Sequence, residues 1–315
     1  MNYKYVCCTG SVHALLLFFL INPDATLNNT VFFFPKDGGI RGDLKQKFKH
    51  VYWLSRKGFK YRILNYYLLK NIFKKLKLKS AKRYGFDEGG WTEYIVHTTM
   101  SFHLIEDGMN NYIMVQPTKK KYESSIIHKL LSYTPFLHIP YGLSKHVSTI
   151  YLTGIADTPQ EIKDKVKFVN MKTMWNSCSE QRKHEILNLF GVSFSSFEKN
   201  RSTLIITQPL SEDKIMSEQD KIDIYKNIVQ QYGETNILIK PHPREATNYK
   251  TIFPQALIWD AYFPIELLAL SNQTLGIKTV ITVFSTAISS FENCQKITLG
   301  SKAHPNLSFL ENHKL

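Results

Sequence analysis

Short β-branched runs alternate with longer helical stretches along the whole chain, and this alternation predicts a parallel α/β fold. In the first half, Tyr5 to Thr9, Val31 to Phe34, His50 to Leu54, Phe102 to Ile105 and Thr149 to Leu152 read as strands, with room for crossover helices between them. In the second half, Leu204-Ile205-Ile206 and Ile237-Leu238-Ile239 are separated by about one helix's worth of charged chain. That spacing predicts a βαβ unit whose strands lie side by side. Ala256 to Trp259 and Thr279 to Phe284 read as further strands. The texture changes near Asp157-Thr158-Pro159, and from Gln160 to Phe190 the chain is charged and polar with Trp175 as its large anchor. The expected organisation is an α/β domain over 1–155, a crossing over 156–200 and a second α/β domain over 201–315.

The apolar run Leu15 to Ile21 resembles the core of a signal peptide at first sight. Seven residues are too few to span a bilayer, and no small-x-small pattern follows before Asn22-Pro23-Asp24. A buried strand, a turn and a helix packed behind it are expected instead. A chain of 315 residues with 43% hydrophobic content can bury a core in each of two domains. Cys7, Cys8, Cys178 and Cys294 lack metal-ligand spacing. Adjacent Cys7-Cys8 in an apolar run suit buried thiols, hence a reducing compartment, the cytoplasm.

Charge changes the picture in one place. The chain has 40 basic and 26 acidic residues, and between Arg41 and Arg83 there are fifteen Lys or Arg against the single acid Asp43; outside that segment 25 of each sign remain. From Tyr61 to Lys79 the lysines are interleaved with aromatic and aliphatic residues near helical spacing. A basic amphipathic helix of this kind reads as a peripheral membrane contact over 41–83, or as a solvated helix covering its domain. A nucleic-acid partner is not expected, because no nucleic-acid module accompanies the charge.

Candidate chemistry collects where strands end, since ligands of open parallel sheets bind at the carboxyl ends. Glu106-Asp107-Gly108 follows the Phe102 run, and like charges side by side would raise one another's pKa and make one a competent base. An acidic turn without chemistry has the same composition. His242 lies between Pro241 and Pro243, each fixing its own φ and restricting the residue before it. With Lys240 and Arg244 beside it, the imidazole suits a departing phosphate; a merely structural His is the alternative. Glu266, in the first turn of a helix opened by Pro264, could accept both hydroxyls of a ribose or complement the helix dipole. Ser285 and Thr286 open a further helix, as a phosphate site or as ordinary caps. Gln208-Pro209 and Ser211-Glu212-Asp213 form the loop after the Leu204 run. No glycine-rich phosphate loop and no acidic DxD motif is present, so metal dependence is not expected.

Glu106-Asp107-Gly108, His242-Pro243 and Ser285-Thr286 resemble the three short motifs of bacterial sialyltransferases: acid-acid-Gly, His-Pro and Ser-Ser/Thr. With Ile206 to Asp213, Ile239 to Glu245 and Phe263 to Leu267, the chain is similar to glycosyltransferase family 52, in particular its streptococcal capsule and lipooligosaccharide sialyltransferases. The resemblance implies a GT-B architecture, two Rossmann-like domains across a cleft, with CMP-sialic acid held mainly by the C-terminal one. It implies His242 at the leaving phosphate, Ser285 and Thr286 holding that phosphate and Glu266 on the ribose. Lys240, Pro243, Arg244 and Gln208 would lie around the nucleotide. Glu106 is the expected base, with Asp107 beside it and Asp213 as the alternative. Sialyl transfer to a galactose-terminated, lipid-linked glycan at the inner membrane face, without cofactor or metal, is the implied activity, and relatives include dimers. A hexosyltransferase on the same fold and a non-catalytic basic membrane-associated protein are the other readings.

Overall fold

The structure, a computed structural model, describes residues 3–36, 38–40, 44–55, 59–126, 128, 137–192 and 201–312. The chain forms two compact units, Met1–Leu189 and Phe190–Leu315. The first holds a seven-stranded sheet in the order β3-β2-β1-β4-β5-β6-β7. Its strands are β1 (Tyr5–Cys8), β2 (Thr30–Pro35), β3 (Val51–Leu54), β4 (Lys82–Gly85), β5 (Phe102–Ile105), β6 (Val147–Leu152) and β7 (Val166–Phe168). Every pairing in it is parallel. β1 and β2 are buried along their whole length, as central strands of a sheet covered on both faces must be. The helix Val12–Ile21 is capped by Ser11, which accepts from the Ala14 N–H at 3.3 Å, and it buries Ala14 through Leu20. It is apolar on every side because it lies between the sheet and the helix Met171–Ser177. The apolar run near the N-terminus is thus an internal crossover helix, as expected. Cys7 and Cys8 are free and buried, and burial raises both thiol pKa values.

Two strands of this sheet escape the hydrophobic pattern. β4 opens on Lys82-Arg83, and Arg83 is 2% exposed, donating to Ile95 O at 2.9 Å and Thr98 Oγ1 at 2.6 Å. The most polar stretch of sequence therefore feeds a central strand. β7 is a short edge strand paired to β6, so residues 156–189 complete the first unit and are not a free crossing between domains. An edge strand needs only one covered side, and Phe168 on it is 61% exposed, so no apolar run marks it. Lys119 to Lys121 lie within the helix Val115–Ser124.

The second unit carries the order β10-β9-β8-β11-β12, again all parallel. Its strands are β8 (Thr203–Ile206), β9 (Ile237–Lys240), β10 (Leu257–Ile258), β11 (Thr279–Thr282) and β12 (Gln295–Thr298). The expected βαβ unit is present, with the helix Glu218–Tyr232 crossing from β8 to β9. Ser217 caps that helix by accepting from the Asp220 N–H at 3.1 Å, and Glu218 and Asp220 favour its positive end. β12 was missed because Gln295 and Lys296 face solvent at the sheet edge.

The basic segment forms the helix Phe59–Lys75, with Arg41, Asp43, Arg56 and Lys57 outside the described residues. Asn65, Leu69, Ile72 and Phe73 face inward, whereas Tyr61, Leu64, Tyr67 and Leu68 are 47–53% exposed. The outer face is thus not simply a solvated polar one. Among the described residues no helix is long and apolar enough to cross a membrane.

Each sheet reverses its direction of winding once, in the first unit between β1 and β4. Gly85 closes β4 there at φ +139°, and a Cβ added to it would fall 1.8 Å from Cys8 O. Both the backbone conformation and the close approach require glycine. Gly85→Ala is expected to cost roughly 2–5 kcal/mol, read as a lowered urea midpoint; an unchanged midpoint would show that β1 and β4 can separate freely.

Candidate active site

In the second unit the winding reverses between β8 and β11, the position at which doubly wound sheets open a crevice for ligands. The loops after β9, β8 and β11 share that edge because the strands are parallel neighbours, about 4.8 Å apart. Gln208 ties two of them: its N–H donates to Tyr225 Oη at 2.9 Å and its Oε1 accepts from the Phe284 N–H at 2.8 Å. Thr282 Oγ1 donates to Ile206 O at 3.0 Å and accepts from the Ser285 N–H at 3.1 Å. Ser285 is thereby fixed beside the β8 loop. Its hydroxyl accepts from the Ala287 N–H at 3.3 Å and opens a five-residue 3-10 turn, Thr286–Ser290, rather than an α-helix; Thr286 is exposed.

The His242 loop is held by more than its prolines. Glu245 turns a nearly fully buried carboxylate back into the loop, accepting from the His242 N–H at 2.6 Å, Thr207 Oγ1 at 2.5 Å and Tyr249 Oη at 2.6 Å. Burial raises the Glu245 pKa against those bonds. Behind it lies Lys221, 0% exposed, with Nζ at 2.9 Å from both Glu212 Oε2 and Glu218 Oε2 and 4.0 Å from Glu245 Oε1. Glu212 also accepts from the Ala246 N–H at 2.7 Å. One buried ammonium thus joins the β8 loop, the crossover helix and the β9 loop. Sequence reading passed over it, although Lys221 shares the inward stripe with Ile224, Tyr225 and Ile228, where a charge demands a partner.

The two flanking cations differ from expectation. Lys240 is 5% exposed, and its Nζ donates to Pro241 O at 3.0 Å and Ala261 O at 2.8 Å. Burial lowers its pKa to about 8, against the pull of Glu266, Asp260 and Glu245. As the last residue of a covered strand it is drawn inside rather than displayed at the loop tip. Arg244 makes a two-point ion pair with Asp213, NH2 to Oδ2 at 2.9 Å. The pair ties the loop after β8 to the loop after β9. His242 is half-buried between them, and burial, Arg244 and Lys240 together lower its pKa. Its Nδ1 accepts from the Arg244 N–H at 3.1 Å, so the neutral ring carries its proton on Nε2. Glu266 lies half-buried in the first turn of the helix Ile265–Leu270, which follows Pro264, as expected.

In the first unit the adjacent acids part company. Glu106 is 1% exposed and accepts from Tyr112 Oη at 2.7 Å, the Thr153 N–H at 2.6 Å and Thr153 Oγ1 at 2.7 Å. Its carboxylate is thus bonded inside the unit. Asp107, on the other side of the strand end, is half-buried and lines a small cleft with Phe86, Asp87, Glu88, Asn110, Asn111 and Tyr141. Gly108 turns the chain at φ +70°, as the acid-acid-Gly spacing requires. Asp87 accepts from the N–H groups of Tyr141 at 2.8 Å and Gly142 at 2.7 Å, and burial raises its pKa to about 6. No motif marks Asp87 or Tyr141 in the sequence.

Burial pushes the Glu212 pKa up, but the Ala246 and Lys221 bonds outweigh it and hold the group at about 2, below its ordinary 4.5. A depressed acid stabilises the fold above about pH 4.5 and loses that contribution as pH falls toward 2. Glu212→Gln is therefore expected to lower stability by about 1.5–3 kcal/mol at pH 7, with the gap closing on acidification. Urea unfolding across this range checks it; a gap independent of pH would rule out an ionic role.

Comparison with known proteins places these features in a family. The model of glycosyltransferase family 52 matches residues 40–307. An uncharacterized protein of Haemophilus influenzae is 34% identical over 318 residues, covering 96% of each chain. Among solved structures, a 2,6-sialyltransferase from a Photobacterium species, crystallised with CMP and lactose, superposes with a TM-score of 0.56 at 8% identity over 93% of this chain and 71% of its own. A sialyltransferase from Photobacterium damsela gives 0.54 at 12% identity over 94% and 74%. These likenesses are of fold, a GT-B pair of Rossmann-like units. The family match spans most of the chain, and the protein belongs to glycosyltransferase family 52.

Proposed function

We propose that the protein is an inverting, metal-independent sialyltransferase that moves sialic acid from CMP-sialic acid to a galactose-terminated glycan of a capsule or surface polysaccharide. The observation that carries this reading is the β8/β9/β11 edge, where a braced imidazole bearing its proton on Nε2 shares one end of the sheet with Ser285 and Thr286. A CMP phosphate arriving there adds negative charge beside His242, raising the proton affinity that burial and the two cations hold down. The ring's Nε2–H then donates a hydrogen bond to the phosphate oxygen, stabilising the charge left there as the bond from that oxygen to the anomeric carbon breaks. Ser285 and Thr286 hold the phosphate, and Glu266 takes the ribose hydroxyls. The likeness to a sialyltransferase crystallised with CMP and lactose supports this assignment of donor and acceptor class.

Of the acids, Asp107 is assigned as the base that removes the acceptor hydroxyl proton, because it lines a cleft while Glu106 is committed to Tyr112 and Thr153. Glu106 is a positioning residue for that strand end. Single displacement inverts the anomeric centre. The helix Phe59–Lys75 is assigned a peripheral contact with anionic lipid at the cytoplasmic face, near a lipid-linked acceptor. Its exposed Tyr61, Leu64, Tyr67 and Leu68 would enter the headgroup boundary, and each flanking lysine would add about 1 kcal/mol.

Incubation with CMP-sialic acid and lactose is expected to give sialyl-lactose, with turnover lowered about 10²–10⁴-fold in His242→Ala and in Asp107→Asn. CMP should raise the thermal midpoint more than UDP does. Stabilisation by UDP alone would favour another sugar-nucleotide donor, and full turnover in His242→Ala would remove the central assignment. For the membrane contact, co-sedimentation with phosphatidylglycerol vesicles is expected to fall sharply when Tyr61, Leu64, Tyr67 and Leu68 are all changed to Ser. Equal sedimentation of both proteins would exclude insertion of this face.

A further inference from the structure

Apart from the residues assigned to transfer, the first unit contains a convergent set of metal-ligand atoms. Glu93 and His97 stand one turn apart on the short helix Glu93–His97, and His138 approaches from a separate segment. One donor atom from each lies within 4.8 Å of the others. Glu93 Oε2 is 2.5 Å from His138 Nδ1 and 3.8 Å from His97 Nε2. Glu93 and His138 are buried, and the His97 side chain is 13% exposed. We propose that Glu93, His97 and His138 form a structural site for a zinc-class divalent cation, bound through Glu93 Oε2, His97 Nε2 and His138 Nδ1.

Three features of the surroundings favour a metal over a simple His–Glu pair. His97 Nε2 is buried and has no hydrogen-bond partner, yet it is directed within reach of the other two donors. A pair between Glu93 and His138 alone leaves that nitrogen unsatisfied, whereas a cation engages all three atoms. The His138 ring is also oriented by its remaining nitrogen, since its Nε2 bonds Asp87 O. An imidazole whose second nitrogen donates to a backbone carbonyl is the usual outer support of a metal-bound His. Finally, two imidazoles and one carboxylate are an N/O set suited to Zn²⁺ rather than to Mg²⁺ or Ca²⁺, which take oxygen ligands. Tetrahedral bonds of about 2.0–2.2 Å need donor atoms roughly 3.3 Å apart, so side-chain shifts of about 1 Å complete the geometry. Arg62 NH1, 3.5 Å from the other Glu93 oxygen, supports the carboxylate from outside.

The place of the site gives it a use. His138 begins the stretch whose Tyr141 and Gly142 N–H groups hold Asp87 against the Asp107 cleft. A cation joining His138 to the Glu93 helix would brace the wall of that cleft without entering the transfer chemistry. The site stands on first-unit geometry alone and does not depend on which sugar nucleotide is used.

The test uses the full chain stripped of metal and titrated with Zn²⁺ by calorimetry, and with Co²⁺ followed by visible absorption. One equivalent of Zn²⁺, a thermal midpoint raised by a few degrees and a tetrahedral Co²⁺ spectrum are expected. His97→Asn should abolish all three while leaving the metal-free midpoint close to that of the metal-free native chain, since Nε2 makes no bond there. His138→Gln should also lose binding. Absence of stoichiometric uptake by the native chain overturns the proposal, as does undiminished uptake by His97→Asn. No sugar nucleotide enters either arm, so these outcomes are separate from the transferase assays.

Discussion

Parallel pairing is the constraint from which the rest of this molecule follows. Each described sheet contains only parallel neighbours, so every strand must be followed by a crossover, and all carboxyl ends in a unit fall along one edge. A chain that winds outward from β8 first toward β10 and then back toward β12 leaves its β8 and β11 loops diverging from a common point. Residues as distant in sequence as Gln208, His242 and Ser285 therefore share an edge without any direct attraction among them. The first unit repeats the device between β1 and β4, where the approach is tight enough to exclude any side chain at Gly85.

An edge built of loops is soft unless something stiffens it, and in the second unit the stiffening is ionic. Lys221 could not be buried without partners, and its carboxylates come from the β8 loop, the crossover helix and the β9 loop. The charges stabilise one another only when both loops take their native path. Glu245 carries the same logic to His242, holding its N–H and thereby its position. Lys240 is engaged by carbonyls and Arg244 by Asp213, and the His242 ring lies half-buried between them. Preorganisation of this kind lowers the reorganisation required when charge develops on a leaving group.

The paired acids show how alternation divides labour. Successive residues at a strand end point to opposite sides, so Glu106 goes into the unit and Asp107 toward the cleft. A motif that reads as two equivalent carboxylates becomes one bonded inside the unit and one lining a cleft. The exposed tyrosines and leucines of the basic helix show the converse. Helical period puts apolar residues on two faces, and the core can use only one of them.

Much of the architecture was legible because buried parallel strands are continuous apolar runs, and β1, β2, β5, β6, β8, β9 and β11 announce themselves in that way. The strand-end motifs were legible too, since Pro241-His242-Pro243 and Glu106-Asp107-Gly108 carry backbone requirements in their composition. β4, β7 and β12 were not, because a strand that buries Arg83 or lies at an edge obeys partners far away in sequence. Nor could sequence distinguish Glu106 from Asp107, set Lys240 inside and Arg244 against Asp213, or bring His138 to Glu93. Local sequence specifies backbone path and periodic burial. Which charge meets which, and which side chain remains open to a ligand, is decided by long-range packing, because electrostatic partners are selected in space and not by their spacing along the chain.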